Sequence, residues 1–182
     1  MLTLILGGAR SGKSRFAQSL CPATARVAYI ATSCPEDEEM RARAERHRQD
    51  RPPHWLTIEE PVSISRATGH AMSDSDVVLI DCLTIWLSNV MWKHRDCGPV
   101  VIENVVLTEI SEIANLAAEK AVILVSNDVG GGIVPETATG RLFRDLQGVL
   151  NQRAATAADR VFLTVAGIPV RLKPVVREEN AV

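Results

Sequence analysis

The sequence predicts an α/β fold: a mostly parallel sheet with helices on both faces and one antiparallel edge strand. Three observations carry this. Short apolar runs (Leu2–Leu6, Val27–Thr32, Val77–Ile80, Val122–Ser126 and Val161–Val165) are continuous rather than alternating, as strands buried on both faces are. Segments of helical spacing separate them, the alternation that builds parallel sheets through crossover connections. Finally, Gly167-Ile168-Pro169 turns the chain into Val170–Leu172, a ready antiparallel partner for the edge.

The 182 residues suit one domain, 1–182, with volume for a proper core. Hydrophobic residues at 46% and charged residues at 23% are ordinary for a globular chain, so neither a disordered nor a fibrous class is indicated. The net charge of -2 lacks the basic excess of a nucleic-acid binder, so no nucleic-acid partner is expected. Cys21, Cys34, Cys82 and Cys97 include no C-x-x-C pair and read as reduced thiols. The apolar Leu2–Leu6 is too short for a signal peptide, and no run approaches the roughly 20 residues of a membrane span. A soluble cytoplasmic protein is the expectation.

Each element has its own signal. Leu2–Leu6 is a buried strand stopped by Gly7-Gly8, and a helix follows from Lys13 to Leu20. Val27–Thr32 is short, apolar and partly β-branched. Pro35 to Glu39 opens a helix, with proline in the first turn and acids facing the positive end of the dipole. That helix runs to Gln49, and Pro52-Pro53 forbids continuation. Leu56–Glu59 is a short strand and Val62–Met72 a weak helix carrying Gly69. Val77–Ile80 is a buried strand ending in Asp81, Leu83–Trp92 a helix, and His94–Pro99 a loop. Val101–Lys120 is amphipathic, Asn127–Pro135 glycine-rich, and Ala138–Ala158 a long amphipathic helix. Glu178–Val182 reads as a frayed end.

Gly7-Gly8-Ala9-Arg10-Ser11-Gly12-Lys13-Ser14 matches G-x-x-x-x-G-K-S/T at every fixed position. It follows a predicted strand and opens a predicted helix, the context that gives the motif meaning. Glycines let the backbone curl around phosphate oxygens, and the N–H groups of the turn face the negative charge. Lys13 is then placed for the β- and γ-phosphates and Ser14 for Mg²⁺. Asp81, at the end of a buried strand, stands where a second metal-holding carboxylate belongs; a solvated acid at a strand end is the alternative. Glu59 follows a short strand and is a further acidic candidate or an ordinary surface acid.

The predicted helix before Pro52 ends in His47, Arg48, Gln49, Asp50 and Arg51. Met40, Ala44 and His47 fall on one face by spacing. His47 could attack a nucleotide α-phosphate, with the arginines neutralising the leaving pyrophosphate. A charge-laced helix end with cations at its C-terminus explains the same residues. The residues by themselves leave both open.

The ordered set of motifs resembles the bifunctional adenosylcobinamide kinase/adenosylcobinamide-phosphate guanylyltransferase family. The likeness runs from Leu2 to Lys173. It is carried by the Gly7–Ser14 turn, Tyr29-Ile30-Ala31-Thr32, Asp37-Glu38-Glu39-Met40, His47-Arg48, Arg51-Pro52, His54-Trp55 and Thr57. Asp81-Cys82-Leu83-Thr84, Ser88-Asn89, Asn127 through Gly130, Gly132–Pro135, Phe143-Arg144-Asp145, Asn151-Gln152-Arg153 and Ala158-Asp159 continue it. The resemblance implies a RecA-like P-loop fold and a homotrimer. It implies ATP and GTP as substrates, with adenosylcobinamide and its phosphate as acceptors. His47 matches the family histidine that becomes guanylylated. Thr32, Ser33, Cys34, Arg48, Gln49, Asp50 and Arg51 match GTP-contacting positions, and Glu59 and Asp81 the acidic ones. Asp128 stands where the family often has Glu, and Cys34-Pro35 lies in a variable stretch, so a contact from Cys34 would use its backbone.

Two other readings are distinguishable. A monofunctional P-loop small-molecule kinase would form no covalent nucleotide. A nucleotide switch would carry N-K-x-D after a strand, where this chain has Asn127-Asp128-Val129-Gly130.

Overall fold

A computed structural model describes residues 1–34, 38–49 and 51–174. The expected helix opening at Pro35–Asp37, the candidate Asp50 and the chain end from 175, with Glu178–Val182, lie outside the described residues. Strands are β1 (Leu2–Gly7), β2 (Val27–Ala31), β3 (Leu56–Glu59), β4 (Val77–Asp81), β5 (Ala121–Asn127), β6 (Arg160–Val165) and β7 (Ile168–Lys173). Helices are α1 (Lys13–Ser19), α2 (Glu38–Gln49), α3 (Ile64–Ala71), α4 (Leu83–Lys93), α5 (Pro99–Leu116) and α6 (Ala138–Ala157). The strands form one sheet in the order β3-β2-β4-β5-β1-β6-β7. Every neighbouring pair is parallel except β6 with β7.

Alternation along each strand sorts side chains onto two faces. Leu2, Leu4, Ile30, Val78, Ile80, Val122 and Leu124 face a large layer built with α3, α4, α5 and α6. Ile5, Val27, Tyr29, Leu79, Ile123 and Val125 face a smaller layer with Ala17, Phe16 and Leu20 around α1. Burial on both sides explains why the strands read as continuous apolar runs. Trp86 fills the larger layer with no exposed surface. Its indole N–H donates to the Val62 carbonyl at 2.7 Å, so the large side chain is buried without an orphaned donor.

Three elements depart from the expected boundaries by two residues or more. The segment at Val62 begins its helix only at Ile64. Glu60 Oε1 takes the Val62 and Ser63 amide protons at 2.9 Å each, and Glu109 Oε2 takes that of Ser65 at 2.8 Å. The helix entrance is therefore capped by acids from outside it rather than by Ser63. Helix α5 starts at Pro99, because Gly98 at φ 82° releases the chain into a proline-led first turn. It stops at Leu116 rather than Lys120, whose ammonium reaches the carbonyls of Met72 and Ser75. Strand β7 begins at Ile168 rather than Val170. Ala166 (φ 51°) and Gly167 (φ 82°) alone make the turn, with the positive φ pair of a two-residue hairpin.

Candidate active site

Parallel strands deliver their C-terminal ends to one edge, and the candidate residues collect there. Gly7 closes β1, flanked by Asn127 of β5 and Thr164 of β6. A Cβ on Gly7 would stand 2.4 Å from Ser11 Oγ and 2.6 Å from the Thr164 carbonyl oxygen, so only glycine fits. The turn then passes through Arg10 (φ 56°) and Gly12 (φ 92°) into α1. Left-handed backbone at these points folds the loop back on itself. Lys13 Nζ donates to the Gly8 carbonyl at 3.1 Å across the loop. The hairpin turn braces it from outside, Gly167 N–H donating to the Ser11 carbonyl at 2.8 Å.

Beside this turn lies a cavity of about 570 Å³ lined by Arg10, Ser11, Gly12, Lys13, Ser14, Arg15, Gln18, Ala166 and Gly167. Three cations and no acid line it, a field that favours a polyanion. The sequence reading missed Gln18, Arg15 and the hairpin residues. Their part depends on how β6 and β7 pack against the loop, and no short motif carries that.

Asp81 ends β4 on the same sheet face as α1. Its Oδ2 accepts the Tyr29 hydroxyl at 3.1 Å. Burial, then the Asp81 charge, hold the Tyr29 phenol well above its ordinary pKa, against an opposing pull from Arg51. Tyr29 therefore stays protonated and donates. Burial likewise pushes the Cys82 thiol up to about 11, with Asp81 adding to it. Cys82 is thus a packed thiol rather than a nucleophile.

The residues predicted around His47 form a second group, toward β2 and β3. Glu59 and Asp81 are both in register with Ala31, so the two acids flank β2 at one level. Glu59 is exposed on the edge strand. Four strand spacings separate β3 from β1, about 19 Å. The sheet therefore brings Asp81 near the phosphate loop and leaves Glu59 away from it. Thr32 is fully buried: its hydroxyl donates to the Cys82 carbonyl at 2.8 Å and accepts the Cys82 N–H at 2.9 Å. Ser33 is half-buried and Cys34 exposed. Helix α2 carries His47 and Arg48 in its last turn, and Gln49 Nε2 donates to Glu45 Oε1 at 3.2 Å. Arg51 is buried, its guanidinium stacked 3.8 Å from the Tyr29 ring centroid and donating to Thr57 Oγ1 at 3.4 Å.

A glycine-rich turn between strand and helix, with an acid two strands away at the same sheet edge, defines the P-loop nucleotide-binding class. A solved ATPase from the type III secretion system of pathogenic bacteria shares the fold, with TM-score 0.53 and 10% identity over 93% of this chain and 56% of that one. The family described as cobinamide kinase/cobinamide phosphate guanyltransferase matches residues 3–172, and the chain belongs to it. Among curated relatives, the bifunctional adenosylcobalamin biosynthesis protein CobU of Escherichia coli is 41% identical, covering 95% of this chain and 100% of its own. CobU of Salmonella typhimurium is 39% identical over the same shares. CobP of Pseudomonas aeruginosa is 41% identical, covering 95% and 98%.

Proposed function

We propose that this protein phosphorylates adenosylcobinamide with ATP or GTP and then converts the product to adenosylcobinamide-GDP, a two-step transferase of cobalamin biosynthesis. The observation that carries the reading is the phosphate turn and its cationic cavity in a chain of the cobinamide kinase/guanyltransferase family.

In the first step a hydroxyl oxygen of the acceptor attacks the γ-phosphorus. The bond to the β,γ-bridging oxygen breaks, the nucleoside diphosphate leaves, and the hydroxyl proton passes to solvent. Residues 7–14 hold the phosphates, and Lys13 neutralises charge that builds on the leaving group. In the second step neutral His47 attacks the α-phosphorus of GTP and pyrophosphate leaves. A phosphate oxygen of adenosylcobinamide phosphate then attacks that phosphorus, the P–N bond breaks and the imidazole is restored. Ser33, the Cys34 backbone, Arg48, Gln49, Asp50 and Glu59 are assigned to the nucleotide. Thr32 and Arg51 are assigned to it as well, and the Thr32 hydroxyl also ties β2 to Cys82.

Ser14 and Asp81 would hold Mg²⁺. A hydroxyl and one carboxylate suit that ion, which is otherwise ligated by substrate phosphates and water. When bound it supplies charge neutralisation at the phosphates. We further assign a single catalytic domain over residues 1–182, a cytoplasmic location, where its nucleotide substrates are made, and a homotrimer. No helix among the described residues is long and apolar enough to cross a membrane. Support for self-association is the exposed apolar stripe Ile168, Val170 and Leu172 on edge strand β7.

Intact-mass analysis after incubation with GTP tests the histidine step. An acid-labile GMP adduct is expected on the parent and not on His47→Ala, which keeps γ-phosphoryl transfer. An adduct persisting in His47→Ala refutes the assignment. Absence of any α-label on the parent favours a monofunctional kinase.

A further inference from the structure

Where the pairing of β2 with β3 ends, two main-chain carbonyls meet one side chain. Ala31 opposite Glu59 is the final register pair of these strands, and the Glu60 N–H, donating to the Ala31 carbonyl at 3.0 Å, closes the ladder. Thr32 follows Ala31 by one residue and Pro61 follows Glu59 by two. Asn89 of α4 donates from Nδ2 to the Thr32 carbonyl at 2.8 Å and to the Pro61 carbonyl at 3.1 Å. Carbonyl oxygens only accept, so they cannot bond to each other, and Pro61 has no N–H to offer. One nitrogen carrying two protons is what joins them. An aspartate in this place would offer none and a serine one.

Helix α4 carries this amide without depending on it. Trp86, Leu87 and Val90, fully buried, hold the helix in the larger core layer, whereas Asn89 is half-buried. Its partners are main chain at the carboxyl edge, where ligands of open parallel sheets bind. Thr32 is tied to this region at every polar group. Its N–H donates to the Asp81 carbonyl at 3.3 Å, its hydroxyl exchanges bonds with Cys82, and its carbonyl accepts from Asn89. On the β3 side the Pro61 carbonyl accepts from Asn89 and the next carbonyl, that of Val62, from Trp86. A single side chain therefore sets the spacing between the two chain segments that leave β2 and β3. Ser33 and Cys34 emerge directly from the first, and Glu59 stands just before the second.

We propose that Asn89 is a positioning residue for guanylyl transfer, fixing the separation between Ser33 and Cys34 on one side and Glu59 on the other, the segments assigned to GTP. It acts through them and touches neither the nucleotide nor the acceptor. It adds no proton and no covalent bond to the step in which the His47 nitrogen bonds to the α-phosphorus and pyrophosphate leaves. Phosphoryl transfer leans instead on the turn between β1 and α1. Three strand spacings, about 14 Å, separate β2 from β1, so the kinase step should feel Asn89 much less.

The inference rests on the assignment of those segments to GTP and of His47 as nucleophile. Full-length Asn89→Ala and Asn89→Asp are to be compared with the parent for three quantities. These are the rate of GMP labelling of His47 from saturating α-labelled GTP, kcat of cobinamide phosphorylation at saturating nucleotide, and melting temperature. In Asn89→Ala labelling should fall about 10²-fold, the cost of a misplacement near 1 Å. Phosphorylation kcat should stay within about threefold of the parent, and the melting temperature should drop by roughly 2–12 °C for two lost hydrogen bonds. Asn89→Asp, which keeps the shape but turns a carboxylate toward two carbonyl oxygens, should lose more labelling. A labelling loss that exceeds the phosphorylation loss by less than about tenfold overturns the proposal. Small losses in both would mean that the spacing is not needed, and equal large ones are the mark of a structural role. If the alanine variant does not fold, the aspartate variant decides by the same criterion. Failure of both to fold overturns the proposal as well, because the core would then not hold α4 without the amide. The premises are kept apart by the parent and His47→Ala. No α-label on the parent, or a label kept in His47→Ala, overturns the guanylyl reading and this inference with it. A labelled parent beside an equally labelled Asn89→Ala overturns the inference alone.

Discussion

Adjacent glycines 7 and 8 should respond oppositely to alanine. At Gly7 a Cβ would meet Ser11 Oγ at 2.4 Å and the Thr164 carbonyl oxygen at 2.6 Å, which is 0.6 Å and 0.4 Å inside the 3.0 Å that real Cβ atoms keep. The serine hydroxyl can rotate away. The Thr164 oxygen is backbone of β6, paired with Gly7 itself, so relief requires the two strands to part at their carboxyl ends. Overpacking of this kind costs about 1–3 kcal/mol. At about 2–4 °C per kcal/mol for a chain this size, the melting temperature should fall by roughly 2–12 °C. The movement falls on the first residue of the phosphate turn, where a misplacement near 1 Å can cost about 10²-fold in rate. A Cβ on Gly8 meets nothing within 4 Å, and Gly8 has no positive φ. Gly8→Ala should therefore hold its melting temperature or gain slightly. Thermal melts and fluorescent-nucleotide titration of both variants check this. Unchanged stability and affinity in Gly7→Ala, or equal damage in Gly8→Ala, would refute the reasoning.

Two further outcomes follow from single contacts. Tyr29→Phe removes a hydrogen bond to the Asp81 carboxylate; it should cost about 1.5 kcal/mol and raise the Mg²⁺ concentration for half-maximal activity, and an unchanged Mg²⁺ titration would count against Asp81 as a metal ligand. Burial lifts the Glu109 carboxyl above its ordinary 4.5, with Glu112 and Glu60 adding to the rise against the Ser65 hydrogen bonds. A folded-state value above the unfolded one means that its stabilisation is complete below about pH 4.5 and is lost as pH rises through the folded value. Glu109→Gln keeps an acceptor for Ser65 without the charge, so its melting temperature relative to the parent should climb from pH 4 upward and then level. A difference independent of pH would show that the carboxylate ionises without cost.

What the chain discloses depends on whether the information is local. The phosphate turn was legible because its residues are contiguous and lie between an apolar strand and a helix. Asp81 was legible because Val77–Ile80 could only be a buried strand, and its C-terminal residue must surface at the same edge. The β6–β7 turn was misplaced by two residues because Ala166 adopts φ 51°, a conformation alanine does not advertise. Gln147, a polar residue on α6, is 1% exposed. It donates to Ser126 across the α6–β5 contact and to Asn151 within α6. The bond to Ser126 exists only once helix and strand are packed. The Thr32 hydroxyl's tie from β2 to Cys82 is likewise visible only in the packed sheet.

One side chain links the two halves of the proposed chemistry. Arg51, just past α2, stacks on the ring of Tyr29, and Tyr29 donates to Asp81. A stacked guanidinium is worth about 0.5–2 kcal/mol, enough to bias where the C-terminal end of α2 rests, though not to weld it. Because Tyr29 stays protonated, its bond to Asp81 holds across the working pH range and the acid keeps its orientation. The helix bearing His47 and the Asp81 carboxylate are thus referenced to one ring on β2. A change at Tyr29 should therefore disturb γ-phosphoryl transfer and histidine labelling together, whereas His47→Ala should separate them.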